Sequence, residues 1–427
     1  MNFSKPIFIS LSPNIEKDDL LLVLKIIFQP WIWKKVKEIE KLEKEFRNFL
    51  GVKYTISFNS GRSALLAILN SLGIEKESEV LLQAFTCNAA VNPIIWSNLK
   101  PVFVDIDERT LNIDPEDLKR KITPKSRVVM VQHTFGLPAK IDEILEICQK
   151  YNLILIEDCA HSLGAKYQGK LCGTFGRASF FSFGRDKIIS SVYGGMVATN
   201  DSILGEKIRE FQKKCPLPSY LWIKQQLLHP ILTEIIIKPL YSVFGVGKWL
   251  LIFFQKINIL SKAIGKEEKR GKLPSNFPQK MPNALAILAL NQLKKLERFN
   301  EHRKKIAKIY DQKLRDLNFQ LPLEQEERIY MRYSLILKNL ETEKILKEFA
   351  KRKIFLDDGW RKTAIVPPDT DQESMQYIFG SCPKAEKIAK NILNLPTHIN
   401  ISKKEALKII SFLKLLLNHL CHNFHDR

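Results

Sequence analysis

Leu153-Ile-Leu-Ile-Glu157-Asp158-Cys159-Ala160-His161 and Ala178-Ser-Phe-Phe-Ser182-Phe183-Gly184-Arg185-Asp186-Lys187 are the two stretches on which the architecture of this chain turns. Each is a short apolar run that stops abruptly at polar, reactive residues. That is the pattern of a strand buried on both faces, delivering side chains at its carboxyl end. Further out, Tyr54 to Phe58, Glu79 to Leu82, Val102 to Val104 and Val128 to Gln132 read as strands of the same kind. Helical patterns at Ser63 to Leu72 and Ile141 to Tyr151 lie between them. Strands that alternate with helices predict an α/β fold of three layers, with a mostly parallel central sheet covered on both sides. The chemistry of such a fold belongs just after the strands.

The chain has 427 residues, 45% apolar and 26% charged, which excludes a disordered polypeptide and predicts two or three compact domains. Residues 1–212 form the large α/β domain with an N-terminal arm. From 213 to 272 the composition changes to aromatic and aliphatic residues separated by lone charges and by Pro230 and Pro239, which reads as an insertion. Residues 273–427 open with a long helical pattern, Leu285 to Leu314. A strand at Tyr333 to Leu337 and helices at Glu341 to Arg352 and Lys403 to Leu417 follow, making a smaller α+β domain.

The net charge of +21 favours an anionic partner, and it is unevenly placed: residues 1–200 carry +4 and residues 201–427 carry +17. No zinc-finger, homeodomain-like or RNA-binding aromatic signature accompanies it, so no nucleic acid is expected. Seven scattered cysteines, none spaced C-x-x-C, argue against a disulfide framework and a zinc ribbon and fit a reducing compartment. The N-terminus lacks the basic and unbroken apolar regions of a signal peptide, and a cytosolic protein is expected. His419, Cys421, His422 and His425 cluster within the last nine residues, where chains fray, and no metal site is expected there.

Four strand ends converge on one chemistry. Asn59-Ser60-Gly61-Arg62-Ser63 follows a strand and opens a helix, so backbone N–H groups can meet an anion at the positive helix terminus. Asp158, at the end of a buried strand, can keep a pyridine nitrogen protonated and make the ring an electron sink. Lys187 offers an amine able to form a Schiff base with an aldehyde, with Arg185 and a phosphate-facing Ser182 suited to that site. Val192-Tyr193-Gly194-Gly195 allows close backbone approach beside a bulky ring. Taken singly, each has an ordinary reading as a helix cap, a solvated lysine or a glycine turn. Their order and spacing together favour the shared site.

In these segments the chain resembles the DegT/DnrJ/StrS group of pyridoxal-phosphate sugar aminotransferases, which have the aspartate-aminotransferase fold. The motifs that carry the resemblance are Ser60 to Leu65, Pro101 to Asp105, His133 to Gly136, Glu157 to Ala165 and Phe181 to Lys187. The resemblance implies pyridoxal phosphate as cofactor and a transferase of fold type I. It implies Lys187 as the Schiff-base lysine and proton carrier, and Asp158 as partner of the pyridinium nitrogen. Gly61, Arg62, Ser63 and Ser182 would hold the phosphate, and His161 stands where the family has a ring-contacting glutamine. Arg62 replaces a family threonine. Cys87 stands where the family stacks an aromatic residue on the cofactor, and is expected as its neighbour. A partner-subunit asparagine segment corresponds to Asn276 to Met281. The implied enzyme is a cytoplasmic homodimer that aminates a keto group of a nucleotide-linked sugar, with glutamate or a similar donor, in polysaccharide or glycan biosynthesis.

Two rivals remain. A sugar dehydratase of the same family would carry histidine in place of Lys187, and a silent, membrane-bound regulatory or scaffold protein would keep the fold alone. Residues 211–280 hold 12 basic and 3 acidic side chains among aromatic and aliphatic ones, so the 213–270 segment is expected either at an anionic membrane surface or packed on the protein. Lys238, Lys248 and Lys256 keep every uncharged run below the roughly 18–20 residues of a bilayer span.

Overall fold

The computed structural model describes residues 6–275, 277–317, 319–337 and 341–425, with side chains through 418. The C-terminal His419/Cys421/His422/His425 cluster therefore lies outside the described side chains, as does Asn276. After an N-terminal helix α1 (Lys17–Ile27) and α2 (Lys37–Leu50), the central sheet begins. Its strands are β1 (Tyr54–Phe58), β2 (Glu79–Gln83), β3 (Lys100–Val104), β4 (Ser126–Gln132), β5 (Ile154–Asp158), β6 (Ala178–Ser182) and β7 (Gly195–Thr199). They lie in the order β1-β7-β6-β5-β4-β2-β3. All pairings are parallel except those of β7, which runs antiparallel to both β1 and β6.

Both faces of the sheet are covered, as its nearly unbroken apolar strands require. On one face α3 (Gly61–Ser71) packs Ala64, Leu65 and Ile68 on Ile56, Phe58 and Val197. Phe46 of α2 meets Phe181 and Phe183 on the other face, and α4 (Ile141–Lys150) adds Ile144 and Ile147 against Leu81 and Val129. The strands named in the sequence occur with ends shifted by a residue or two. The exception is β7, whose glycines read as a turn but whose backbone completes the sheet.

Past α5 (Ser202–Lys214), the insertion is helical in its regular parts. It comprises α6 (Tyr220–Leu232), a π-helical turn at Thr233–Ile237, a short helix at Lys238–Leu240 and α7 (Val246–Lys256). Helix α6 buries Ile223 and Leu227 in the core around Phe183, and Trp222 meets Tyr193 edge-on, with centroids 5.3 Å apart. Helix α7 crosses the preceding turn closely. A Cβ on Gly247 would lie 2.2 Å from the Ile237 carbonyl oxygen and 2.4 Å from the Tyr241 nitrogen, so only glycine permits the crossing.

Leu285 to Leu314 is two helices rather than the one its periodicity predicts: α8 (Asn283–Leu293) and α9 (Leu296–Leu314). The break has a physical cause. Helix α8 packs in the core shared with α2, whereas α9 buries Ile306, Tyr310 and Leu314 in the small domain. The turn between them aims Lys295 at Asp18 (2.5 Å) and Asp19 (3.0 Å) near the start of α1. The small domain pairs β8 (Arg332–Leu337) with β9 (Ile392–Pro396) antiparallel and covers them with α10 (Thr342–Lys351) and α11 (Lys403–His425). Ile7–Phe8 joins this domain by pairing with Ile354–Phe355.

Candidate active site

Strand alternation separates the acidic pair at the end of β5. Glu157 points to one face, where it accepts the backbone N–H groups of Gly173, Phe175 and Gly176 at 2.7 Å and meets His133 Nε2 at 3.2 Å. Its carboxylate is saturated, so this residue holds the loop before β6 rather than a ligand. Asp158 points the other way, into a cavity of about 360 Å³. Its Oδ1 accepts the Ala160 N–H at 2.9 Å, and burial pushes its pKa up to about 6.

Lys187 enters the same cavity from the loop after β6, its side chain 17% exposed and its Nζ 4.0 Å from Asp186. Two remote residues hold its backbone. Asn14 of the N-terminal arm donates to the carbonyls of Lys187 and of Ile188 (3.1 Å), and Arg303 of α9 donates to Asn14 Oδ1 and to the Ile188 carbonyl, both at 2.9 Å. Asp186, also in the cavity, faces Arg332 of β8 at 3.6 Å, and Arg332 faces the cavity residue Asp358 at 3.3 Å. The charges of Lys187 and Arg332 hold the Asp186 carboxyl below its usual range although burial opposes them.

The N-terminus of α3 opens on the cavity through Ser60, Gly61 and Arg62, with Ser182 beside them. Ser60 caps the helix, accepting the Ser63 N–H at 3.1 Å. Ser63 itself does not line the cavity: it is fully buried and its Oγ donates to Asn59 Oδ1 at 2.6 Å. The close seat of this turn on β7 depends on Gly195, where a Cβ would fall 2.4 Å from the Ser60 carbonyl. Arg62 is engaged elsewhere: it forms a buried ion pair with Glu268, donates to the Ala263 carbonyl at 3.2 Å, and lies 4.5 Å from the Phe277 ring centroid.

Arg62 thereby anchors a strap, residues 261–271, to the cavity wall. Arg185 Nη1 donates to the Ser261 carbonyl at 2.7 Å and Tyr193 Oη to the Lys262 carbonyl at 2.6 Å, while Ala263 and Ile264 line the cavity. Cys87 and His161 also line it. Burial raises the Cys87 thiol, and burial with the charges of Lys187 and Arg332 holds His161 well below the ordinary histidine range. Trp360, from the stretch between α10 and β9, is a cavity aromatic packed in the core of the central sheet, edge-on to His161 at 4.8 Å and to Phe135 at 5.1 Å. Sequence reasoning passed over Asn14, Asp358, Trp360, Arg303 and Arg332. Each arrives from a segment distant in the chain, with no local motif to announce it.

The residues fit a phosphorylated, aromatic aldehyde. Arg185 Nε and His161 Nδ1 are buried cavity-lining polar groups with no hydrogen-bond partner, and Asp158 is a buried carboxylate with no cation within ion-pair distance among the described residues. A sheet of this order, with a lysine after its sixth strand and a carboxylate at the end of its fifth, has the fold type I architecture, and the family match that follows sets the class as a pyridoxal-phosphate-dependent aminotransferase. The DegT/DnrJ/EryC1/StrS aminotransferase family model matches residues 13–218 and 255–414, and the chain belongs to that family. GDP-perosamine synthase of Escherichia coli O157:H7 is 26% identical over 399 residues, 93% of this chain and 95% of its own. Among solved structures, Helicobacter pylori PseC, an aminotransferase involved in the biosynthesis of pseudoaminic acid, superposes with TM-score 0.73 at 24% identity, covering 95% of this chain and 98% of its own. E. coli GDP-4-keto-6-deoxy-D-mannose-3-dehydratase with bound hydrated PLP gives TM-score 0.73 at 21% identity over 96% and 100%.

Proposed function

We propose that this chain is a homodimeric, cytosolic pyridoxal-phosphate aminotransferase that converts a keto group of a nucleotide-linked sugar to an amine. Glutamate or a similar amino acid supplies the nitrogen, and the product feeds polysaccharide or glycan assembly. The observation that carries this reading is that Lys187, Asp158, Ser182 and the N-terminus of α3 open on one cavity. The relative's name, GDP-perosamine synthase, supports the substrate class.

Pyridoxal phosphate, when bound, supplies an aldehyde for an amine and a ring that accepts electrons. The chain's own residues do the rest. Asp158, kept from water, places a negative charge where a ring nitrogen needs one. The Ser60 to Arg62 turn and Ser182 offer N–H and hydroxyl donors to a phosphate, and Arg185 Nε adds a cationic donor. Lys187 Nζ, close enough to Asp186, Asp158 and His161 for its charge to act on each, can hold or release a proton beside the reacting carbon. Asn14 and Arg303 fix its backbone, and Ala263 and Ile264 of the strap add apolar wall to the cavity.

A fold shared with a dehydratase does not separate the two reactions, and Lys187 favours amination. Its amine would condense with the cofactor's aldehyde and be displaced by an amino donor, leaving the cofactor to carry the transferred nitrogen, whereas dehydratases of this family would have histidine there. The test is to incubate the purified enzyme with L-glutamate and a panel of nucleotide-linked keto sugars. An amino sugar by mass spectrometry and an equal amount of 2-oxoglutarate are expected. A deoxy keto sugar without net amination would identify the dehydratase, and neither product would favour the scaffold. Light scattering tests the dimer.

A further inference from the structure

We propose that α7 and the turn before it seat this enzyme on an anionic membrane surface. The helix has two apolar faces with different surroundings. Its inner side places Leu251 and Gln255 in the cavity wall and Gly247 against the preceding turn. Its outer side, at the helical spacing of 246, 249, 252, 253 and 256, carries Val246, Trp249, Ile252 and Phe253, all exposed, followed by Lys256. Trp249 is 61% exposed and stacked on Phe253 at 5.2 Å. Ile235 and Ile257 extend the apolar surface along the chain, and Phe244 is fully exposed at the tip of the turn. A folded chain does not leave so many large apolar groups in water along one short segment without a partner.

Charge selects the partner. Between Ser219 and Asn258 the sole carboxylate is Glu234, paired with Lys238, whereas Lys224, Lys248 and Lys256 are exposed. A second copy on the same face would bring lysine against lysine, and lysine is depleted at the centre of protein interfaces. Lipid headgroups accept what a protein face rejects. Lysine stems lie along the apolar boundary with their ammonium groups at phosphates, and tryptophan and phenylalanine enter the acyl edge. All of the surface but Lys256 and Ile257 also lies outside what the family shares, since the match skips residues 219–254. A dimer common to the family has no need of it. No helix among the described residues is long and apolar enough to cross a membrane, so α7 would lie flat, its inner side still lining the cavity.

Flotation of the intact enzyme with vesicles tests the seat, using equal parts phosphatidylglycerol and phosphatidylcholine against phosphatidylcholine alone. The protein is expected to float with the anionic vesicles at low salt and to be released at high salt. Trp249→Ser with Phe253→Ser should lower the bound fraction by about tenfold or more, as expected for removing two inserted rings, with an unchanged thermal melt and elution volume. Lys248→Gln with Lys256→Gln should reduce binding and flatten its salt dependence. No flotation, equal flotation of wild type and the Trp249/Phe253 variant, or dissociation of an oligomer by that variant overturns the proposal, the last by assigning the face to a second copy.

Discussion

Breaking the Arg62–Glu268 pair from one side should cost far more stability than removing it whole. Both side chains are buried, 9% and 4% exposed, and the pair joins the turn that opens α3 to the strap in the cavity wall. Burial alone would lower the Arg62 pKa, but the Glu268 charge outweighs it and raises it, so the guanidinium stays charged beside Glu268, its sole carboxylate partner among the described residues. Glu268→Leu leaves that cation in a site walled by Phe277 and Tyr193. An uncompensated buried charge costs about 3–5 kcal/mol. With an unfolding entropy of about 2.1 cal/mol/K per residue, a chain of this length should lose about 3–6 °C from its melting temperature. Arg62→Met strands the carboxylate instead and should cost a similar amount. The double variant removes both charges, and apart from the Gly265 N–H, which loses its Glu268 acceptor (2.7 Å), and the Ala263 carbonyl, which loses its Arg62 donor (3.2 Å), little remains to be destabilised. It should lie within about 1–2 kcal/mol of wild type. Chemical denaturation of the four proteins gives the coupling directly. Single costs that simply add in the double variant, or a Glu268→Leu cost below about 1 kcal/mol, would refute the reasoning and make the strap contact incidental.

Three further outcomes follow from the site. Lys187→Ala should retain the fold, lose the visible, borohydride-sensitive absorption of bound cofactor and lose transamination by at least about a thousandfold; full turnover would remove Lys187 from its role. Asp158→Asn keeps the shape without the charge and should still bind cofactor while turnover falls by about a hundredfold or more; an unimpaired rate counts against the carboxylate. Burial, helped by neighbouring cations, holds His161, His229 and His398 well below the ordinary histidine range, so the unfolded chain takes up three protons near pH 6.5 that the folded chain refuses. Stability of the cofactor-free protein should therefore fall as pH drops below about 6.5, approaching about 3 kcal/mol per pH unit once Asp158 is counted against the three histidines. Below pH 6 Asp158, with its folded pKa raised to about 6, binds a proton that the unfolded carboxylate still lacks, which offsets one of the three. A flat denaturation midpoint from about pH 7 to pH 6 contradicts the burial of these rings as neutral groups.

The sheet was legible because its strands are buried on both faces. A strand such as Ile154–Asp158 must be apolar throughout its middle and can turn polar only where it leaves the layer, so sequence alone locates both the strand and its reactive end. β7 broke that rule. Gly195 is required by the nearby Ser60 backbone, and the same residue that permits the contact reads, out of context, as a turn. Helix α8 and helix α9 carry one continuous apolar period because helical periodicity records that a face is buried, not which body buries it. The break at Lys294–Lys295 is fixed by cores in two different domains.

The site was legible only as far as local motifs reach. Asp158, Ser182 and Lys187 sit where strands end, and a strand end is a local event. The electrostatics that act on Lys187 are not local. Asp186 beside it is balanced by Arg332, which is 145 residues further along the chain than Lys187, and Arg332 is shared with Asp358 from yet another segment. Arg62 shows the same limit from the other direction. Its position in the turn that opens α3 was visible, but its partner Glu268 lies past the insertion, and that partner makes the guanidinium the anchor of the strap. A residue's place in a motif tells what its neighbours need. What the residue itself does is set by whichever charge the fold brings to it, and in a chain with a long insertion beside its cavity that charge can come from the part no motif covers.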